Sequence, residues 1–311
     1  MTTTAWVFPG QGSQSIGMLA DLAASYPIIE ATFAEASAAL GKDLWALAQN
    51  GPEAEMNATE NTQPLLLAAG IAVWRAWKQA GGPAPDYLAG HSLGEYTALV
   101  AAEVISLADG VRLVAERGRL MQDAVPAGEG AMAAILGLDN EQVIAACKVA
   151  ADGDVVAAVN FNAPGQVVIA GSAAAVDRAI IECKAAGAKR ALPLSVSAPS
   201  HCALMRPAAD ELAKCFYALT FNKSVIPVVQ NVSAKVASDT ATLQAALVEQ
   251  LYSPVRWVEC VEHLSALGVT QMFESGPGKV LTGLNKRIDK NMTHWSLDST
   301  EGMTAALESL C

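Results

Sequence analysis

The sequence predicts an α/β fold: a large domain built on a mainly parallel sheet, with a small βαββαβ domain inserted into it. Three observations support this. Short apolar runs alternate with helix-period segments along most of the 311 residues, separated by Gly- and Pro-rich turns. Hydrophobic residues make up 52% and charged residues 16%, a balance that buries a large core and excludes disorder. Between residues 128 and 197 the order becomes strand, helix, strand, strand, helix, strand, which is the ferredoxin-like arrangement. The large domain is therefore assigned to 1–127 and 198–311, and the small one to 128–197.

In chain order, Ala5 to Phe8 reads as a strand, broken by the loop Pro9-Gly10-Gln11-Gly12-Ser13-Gln14. That loop can turn backbone N–H groups toward an anion, but it has neither the Lys of a phosphate loop nor a dinucleotide fingerprint. Helical patterns follow at Tyr26–Leu40 and Asn61–Gln79, the second capped by Asn61 or Thr62 with Pro64 in its first turn. Gly81-Gly82-Pro83 ends that helix and leads into a strand closing at Ala89. Ser106-Leu107-Ala108-Asp109 reads as a capping box opening a helix to about Gln122. The small domain then runs as strand Ala131–Leu138, helix Asn140–Ala151, strands Val155–Phe161 and Gln166–Ala170, helix Ala173–Ala186 and strand Lys189–Val196. At Ser195-Val196-Ser197 the chain returns to the large domain, and Ser200 can cap a helix starting at His201. Strand Ile226–Gln230, helices Thr242–Leu251 and Val255–Leu267, strand Val269–Glu274 and helix Val280–Ile288 complete the alternation.

Composition also limits function. The net charge of −11 argues against nucleic acid or an anionic membrane as partner. No apolar run reaches a membrane span, and the N-terminus enters a strand without a signal-peptide pattern. The six cysteines show no metal-ligand or redox spacing, which suits small apolar residues in a reducing cytoplasm and gives no metal site.

Chemistry concentrates at Gly90-His91-Ser92-Leu93-Gly94-Glu95. A strand, then G-x-S-x-G, then a helix is the context in which a strained turn exposes a serine hydroxyl, and it makes the large domain α/β-hydrolase-like. The pattern by itself is weak, and a Gly-rich turn with a capping serine has the same letters. A serine nucleophile needs a base, and the chain has four histidines. His91 adjoins Ser92 and points away from it, His263 lies beside Glu259 and Glu262, and His294 sits in a polar tail segment. His201, on a Pro-preceded turn at the domain junction, remains. Activity is then expected to fall as acid protonates it. Arg117 projects from an apolar helix stripe formed by Leu113, Val114, Leu120 and Met121. A buried guanidinium needs a carboxylate, supplied either by a distant Asp or Glu or by the substrate.

Five segments in register now resemble one family. They are Pro9 to Gln14, Gly90 to Glu95, Arg117, Pro199-Ser200-His201 and Glu274-Ser275-Gly276-Pro277-Gly278. The chain is similar throughout to the malonyl-CoA:acyl-carrier-protein transacylases of bacterial type II fatty-acid synthesis. The resemblance implies Ser92 as nucleophile, His201 as general base and acid, and the Gln250 carbonyl as the group that orients the imidazole. It implies the Gln11 and Leu93 amides as oxyanion hole and Arg117 as clamp for the malonyl carboxylate. It implies a coenzyme A thioester as substrate, acyl carrier protein as partner and no cofactor. Because that partner is acidic in the family, the basic pairs Lys189-Arg190 and Lys286-Arg287 become docking candidates on this acidic chain. Ala198-Pro199-Ser200-His201 differs from the His-Ala-Phe-His of malonyl-selective polyketide acyltransferase domains, which leaves the pocket wider at Ser200. A serine hydrolase and a non-catalytic carrier-docking subunit are the competing readings.

Overall fold

The computed structural model describes residues 2–194 and 198–310, so the expected chain return at Ser195-Val196-Ser197 lies outside the described residues. The described residues form nine strands: β1 (Thr3–Phe8), β2 (Tyr87–Gly90), β3 (Gly130–Leu136), β4 (Val156–Ala163), β5 (Gln166–Ser172), β6 (Arg190–Pro193), β7 (Val228–Val229), β8 (Val269–Glu274) and β9 (Thr293–Ser296). Five of them make a wholly parallel sheet in the order β7-β2-β1-β8-β9. The other four make an antiparallel sheet in the order β4-β5-β3-β6.

Central strand β1 shows how the large sheet is buried. Its side chains alternate, so Trp6 and Phe8 enter one apolar cluster while Ala5 and Val7 enter the other. The first cluster is filled by helices Ile28–Leu40, Thr59–Gln79 and Leu107–Asp123, the second by Trp257–Ala266 and Val280–Ile288. A strand covered on both faces must read as a continuous apolar run, and Ala5 to Phe8 does. On the antiparallel sheet, helices Asn140–Ala151 and Ala173–Ala185 pack together over Ile135, Val167 and Ile169. Two backbone bonds tie β4 to the segment leading into helix Trp257–Ala266, which packs on the parallel sheet: Phe161 N–H to Val255 O at 3.0 Å and Val255 N–H to Val159 O at 2.8 Å.

Several expected boundaries move for local reasons. Helix Thr59–Gln79 starts before Asn61 and Thr62, so neither caps it. Their side chains instead bond the Glu55 and Met56 carbonyls of the preceding turn. The expected cap at Ser200 is also absent: a short 3₁₀ turn, Ala203–Met205, precedes helix Arg206–Cys215, and Ser200 Oγ turns back to Ala198 O. Strand Ile226–Gln230 shrinks to two paired residues at the sheet edge. His294, expected in a polar tail, sits largely buried on β9, where backbone pairing to β8 overrides the polar composition. By contrast Ser106 accepts from Asp109 N–H as an N-cap, and Asp139 and Gln142 form a complete capping box.

Candidate active site

The turn after β2 is held in a conformation that only certain residues permit. Ser92 has φ +52° and ψ −108° and precedes helix Leu93–Ala101 without capping it, which leaves its hydroxyl free. A Cβ on Gly90 would lie 1.9 Å from the Gly94 carbonyl, and one on Gly94 would lie 2.0 Å from Phe8 O. Glycine is required at both places because strand and helix cross at backbone contact. Asn231, just past β7, clamps the turn from both sides. Its Oδ1 accepts from Ser92 N–H and its Nδ2 donates to Gly90 O, each at 2.7 Å. No motif in the sequence marked Asn231.

Ser92 Oγ lies 2.8 Å from His201 Nε2, and His201 Nδ1 lies 2.7 Å from Gln250 O. A carbonyl can only accept, so Nδ1 carries the proton and Nε2 offers its lone pair to the Ser92 hydroxyl. His201 itself is in the left-handed region, with φ +66°, and its N–H donates to Leu251 O. Ring and backbone of the same residue are thus fixed by the end of helix Thr240–Gln250. Burial, then the nearby Arg117 cation, push the imidazole pKa down to about 3, against the Gln250 bond that raises it. The imidazole is therefore neutral, and able to take a proton, throughout the neutral range.

Arg117 arrives from helix Leu107–Asp123, fully buried. Its Nη1 donates to Gln63 Oε1 at 2.7 Å, and its Nη2 to Gln250 Oε1 at 3.0 Å and to Ser92 Oγ at 3.2 Å. Its face lies 5.2 Å from the Tyr96 ring centroid, and Nε meets no acceptor among the described residues. The expected carboxylate partner is not in direct contact; two amide oxygens and a hydroxyl take its place. Every acceptor that the described residues offer this guanidinium is thus neutral. Its position against Oγ also favours the alkoxide form of Ser92.

Ser92 and His201 border a cavity of about 100 Å³ that Gln11, Thr59, His91 and Ser200 also line, while Arg117 and Gln250 lie buried behind its wall. A wider groove of about 740 Å³ lies elsewhere, beside Ile28, Trp74 and Leu107, and contains none of the polar cluster. Chemistry, not volume, marks the smaller cavity as the site. Leu93 is the first residue of its helix, so its N–H is one of the amides without an intrahelical acceptor, at the end where the dipole favours negative charge. Gln11 lines the same cavity, its side-chain Nε2 donating to Thr59 Oγ1 at 3.4 Å. His91 faces away from Ser92 Oγ, its Nε2 2.8 Å from Asn162 Oδ1 on β4. The basic pairs are exposed and outside this cluster. Lys189 and Arg287 share a surface groove, and Arg287 is already bonded to Pro164 O and Gln166 Oε1. Beyond Asn231, the sequence also left Gln63 unmarked, because an amide side chain carries no spacing signal until a charged partner is placed beside it.

Comparison with known proteins identifies the family. A family model described as acyl transferase domain matches residues 5–286. Malonyl CoA-acyl carrier protein transacylase of Escherichia coli (strain K12) is 61% identical over 308 residues, covering 99% of this chain and 100% of that protein. The Bacillus subtilis (strain 168) protein of the same name is 45% identical, with 100% and 98% covered. Among solved structures, an acyl carrier protein S-malonyltransferase from Vibrio cholerae superposes with a TM-score of 0.96 at 58% identity, covering 98% of this chain and 100% of that one. A malonyl-transacylase in complex with a type II PKS acyl-carrier protein superposes with a TM-score of 0.98 at 57% identity, covering 99% and 100%. The chain belongs to the malonyl CoA-acyl carrier protein transacylases, within the acyl transferase family.

Proposed function

We propose that this protein moves a malonyl group from malonyl-CoA to the phosphopantetheine thiol of acyl carrier protein, through a malonyl ester on Ser92. The observation that carries the reading is Ser92 Oγ held between a neutral imidazole nitrogen and a buried guanidinium. Ser92 attacks the thioester carbonyl while His201 Nε2 takes its proton, and the oxyanion is met by the Gln11 and Leu93 amides. The proton passes from His201 to the departing CoA sulfur. The carrier thiol then attacks the ester, gives its proton to His201, and regenerates Ser92 as the same steps run in reverse. The Gln250 carbonyl keeps Nδ1–H in place throughout. Arg117 takes the malonyl carboxylate through its planar fork, which selects a carboxylated acyl group. These steps run on side chains, backbone amides and the two thiols.

Supplying malonyl units to fatty-acid elongation in the cytoplasm goes with this reading, and no described helix is long and apolar enough to cross a membrane. We read the two sheets as an α/β-hydrolase-like domain, 1–127 and 198–311, and a ferredoxin-like domain, 128–197. The order β4-β5-β3-β6, with two helices over one face, supports the second assignment. Lys189-Arg190 and Lys286-Arg287 are proposed to meet the carrier protein. A chase experiment tests the function: enzyme loaded with malonyl-CoA and freed of CoA is mixed with holo-carrier protein or with buffer. Fast malonyl-carrier formation and slow release of malonate are expected. Equally fast malonate release in buffer would make it a hydrolase.

A further inference from the structure

Gln250 stands between two buried charges. Its side-chain oxygen accepts from Arg117 Nη2 at 3.0 Å, and its amide nitrogen donates to Glu95 Oε2 at 2.8 Å. Arg117 is 0% exposed and Glu95 1%. Among the described residues no carboxylate forms a direct ion pair with Arg117. A buried cation needs a counter-charge, yet a carboxylate on its fork would block the edge an acyl carboxylate must use. An amide spacer meets both demands. Glu95 Oε2 also accepts from Asn231 N–H at 3.0 Å, while Oε1 meets no donor among the described residues.

The charge count then has a consequence. With Arg117 cationic and Glu95 anionic, the closed cluster is neutral. A carboxylated acyl group brings one further negative charge into a volume screened from water, where charges interact strongly. The substrate carboxylate is held ionised by Arg117, so the oxygen that can accept a proton is the unpartnered one on Glu95. We propose that Glu95 is a positioning residue, the counter-ion of Arg117 across the Gln250 amide, and that it takes up a proton from solvent when a carboxylated acyl group binds at Arg117. This rests on the malonyl-transfer reading above.

The surroundings fit. Burial pushes the Glu95 carboxyl up to about 7, against the Asn231 and Gln250 bonds and the Arg117 charge. Other titratable groups nearby are fixed. Tyr96 on the same helix is pushed up to about 12, and Cys260 on helix Trp257–Ala266 is pushed up by burial. His201 and His91 are pushed down by burial and stay neutral. Glu95 alone among these stands poised near neutrality.

The test is single-turnover acylation in weak buffer with a pH indicator, at pH 7.5, with the adduct followed by intact-protein mass spectrometry. Ester formation releases a thiol in place of a hydroxyl and is proton-neutral below the thiol pKa. Wild type is expected to form the malonyl adduct with uptake of a large fraction of one proton per site, at most about one. Glu95→Gln, which keeps an acceptor for Asn231 and Gln250, is expected to form the adduct with no uptake. The wild-type KM for malonyl-CoA is expected to rise by up to about tenfold per pH unit above neutrality, and that of Glu95→Gln to stay level. An adduct without proton uptake in wild type overturns the counter-ion role and leaves malonyl transfer standing, as does undiminished uptake in Glu95→Gln. Absence of any adduct overturns both. If Glu95→Gln does not fold, wild-type uptake and its KM profile decide.

Discussion

Asn231→Ala isolates the clamp on the nucleophile turn. The substitution removes the acceptor for Ser92 N–H and the donor to Gly90 O, both at 2.7 Å, while the Asn231 backbone bond to Glu95 remains. Each buried polar group left unpartnered costs about 1–3 kcal/mol. Water can reach the Ser92 side from the cavity, so a total of about 2–4 kcal/mol is expected. For a chain of this size that lowers Tm by roughly 3–6 °C. The turn also loses what holds Ser92 at positive φ, and a shift of about 1 Å between Oγ and Nε2 slows acylation by about a hundredfold. Asn231→Asp restores an acceptor for Ser92 N–H, sets an oxygen against Gly90 O and adds charge beside Glu95, so it should do no better than alanine. Thermal unfolding and the pre-steady-state rate of malonyl-enzyme formation read the two effects. A Tm within about 1 °C of wild type together with an unchanged acylation rate would refute the clamp.

Three further outcomes follow from the same geometry. Arg117→Ala should cut kcat/KM for malonyl-CoA by at least about thirtyfold, the loss of a buried charge-assisted pair worth about 2–5 kcal/mol, and should narrow the preference over an acetyl thioester; competition kinetics measure both. A neutral sulfonyl fluoride reports the free enzyme's His201, which must be unprotonated to act. With its pKa pushed down to about 3, the rate of Ser92 modification should stay level from pH 8 to about pH 5. A fall centred near pH 6.5 would mean a solvated imidazole. Charge reversal at Lys189, Arg190 and Lys286 should raise the carrier-protein KM and leave acylation by malonyl-CoA unchanged, as steady-state kinetics with each substrate varied will read.

The parallel sheet was legible because β1 and β2 hold short apolar runs and β1, β2 and β8 all end in Gly-rich turns, and helices with strong caps such as Asp139 or Ser106 appeared where expected. Edge elements were not. β9 carries the polar Thr293-His294-Trp295-Ser296, and only its pairing with β8 makes it a strand. The site divided in the same way. Ser92 was marked by a motif that backbone crowding requires, and Arg117 by a cation on an apolar stripe. The fall in activity expected as acid protonates His201 moves to lower pH, because burial and the Arg117 charge push the imidazole down, and both are products of packing that no local spacing encodes. Asn231, Gln63 and the side chain of Gln250 are amides recruited from distant segments, and their roles exist only once the chain has closed around Ser92.

The central claim is that Ser92 carries the malonyl group. Brief exposure to malonyl-CoA, acid quench, proteolysis and mass mapping tests it directly. One malonyl group on the peptide containing Ser92 is expected in wild type and none in Ser92→Ala. A malonyl adduct elsewhere, or transfer to carrier protein undiminished in Ser92→Ala, would contradict the account.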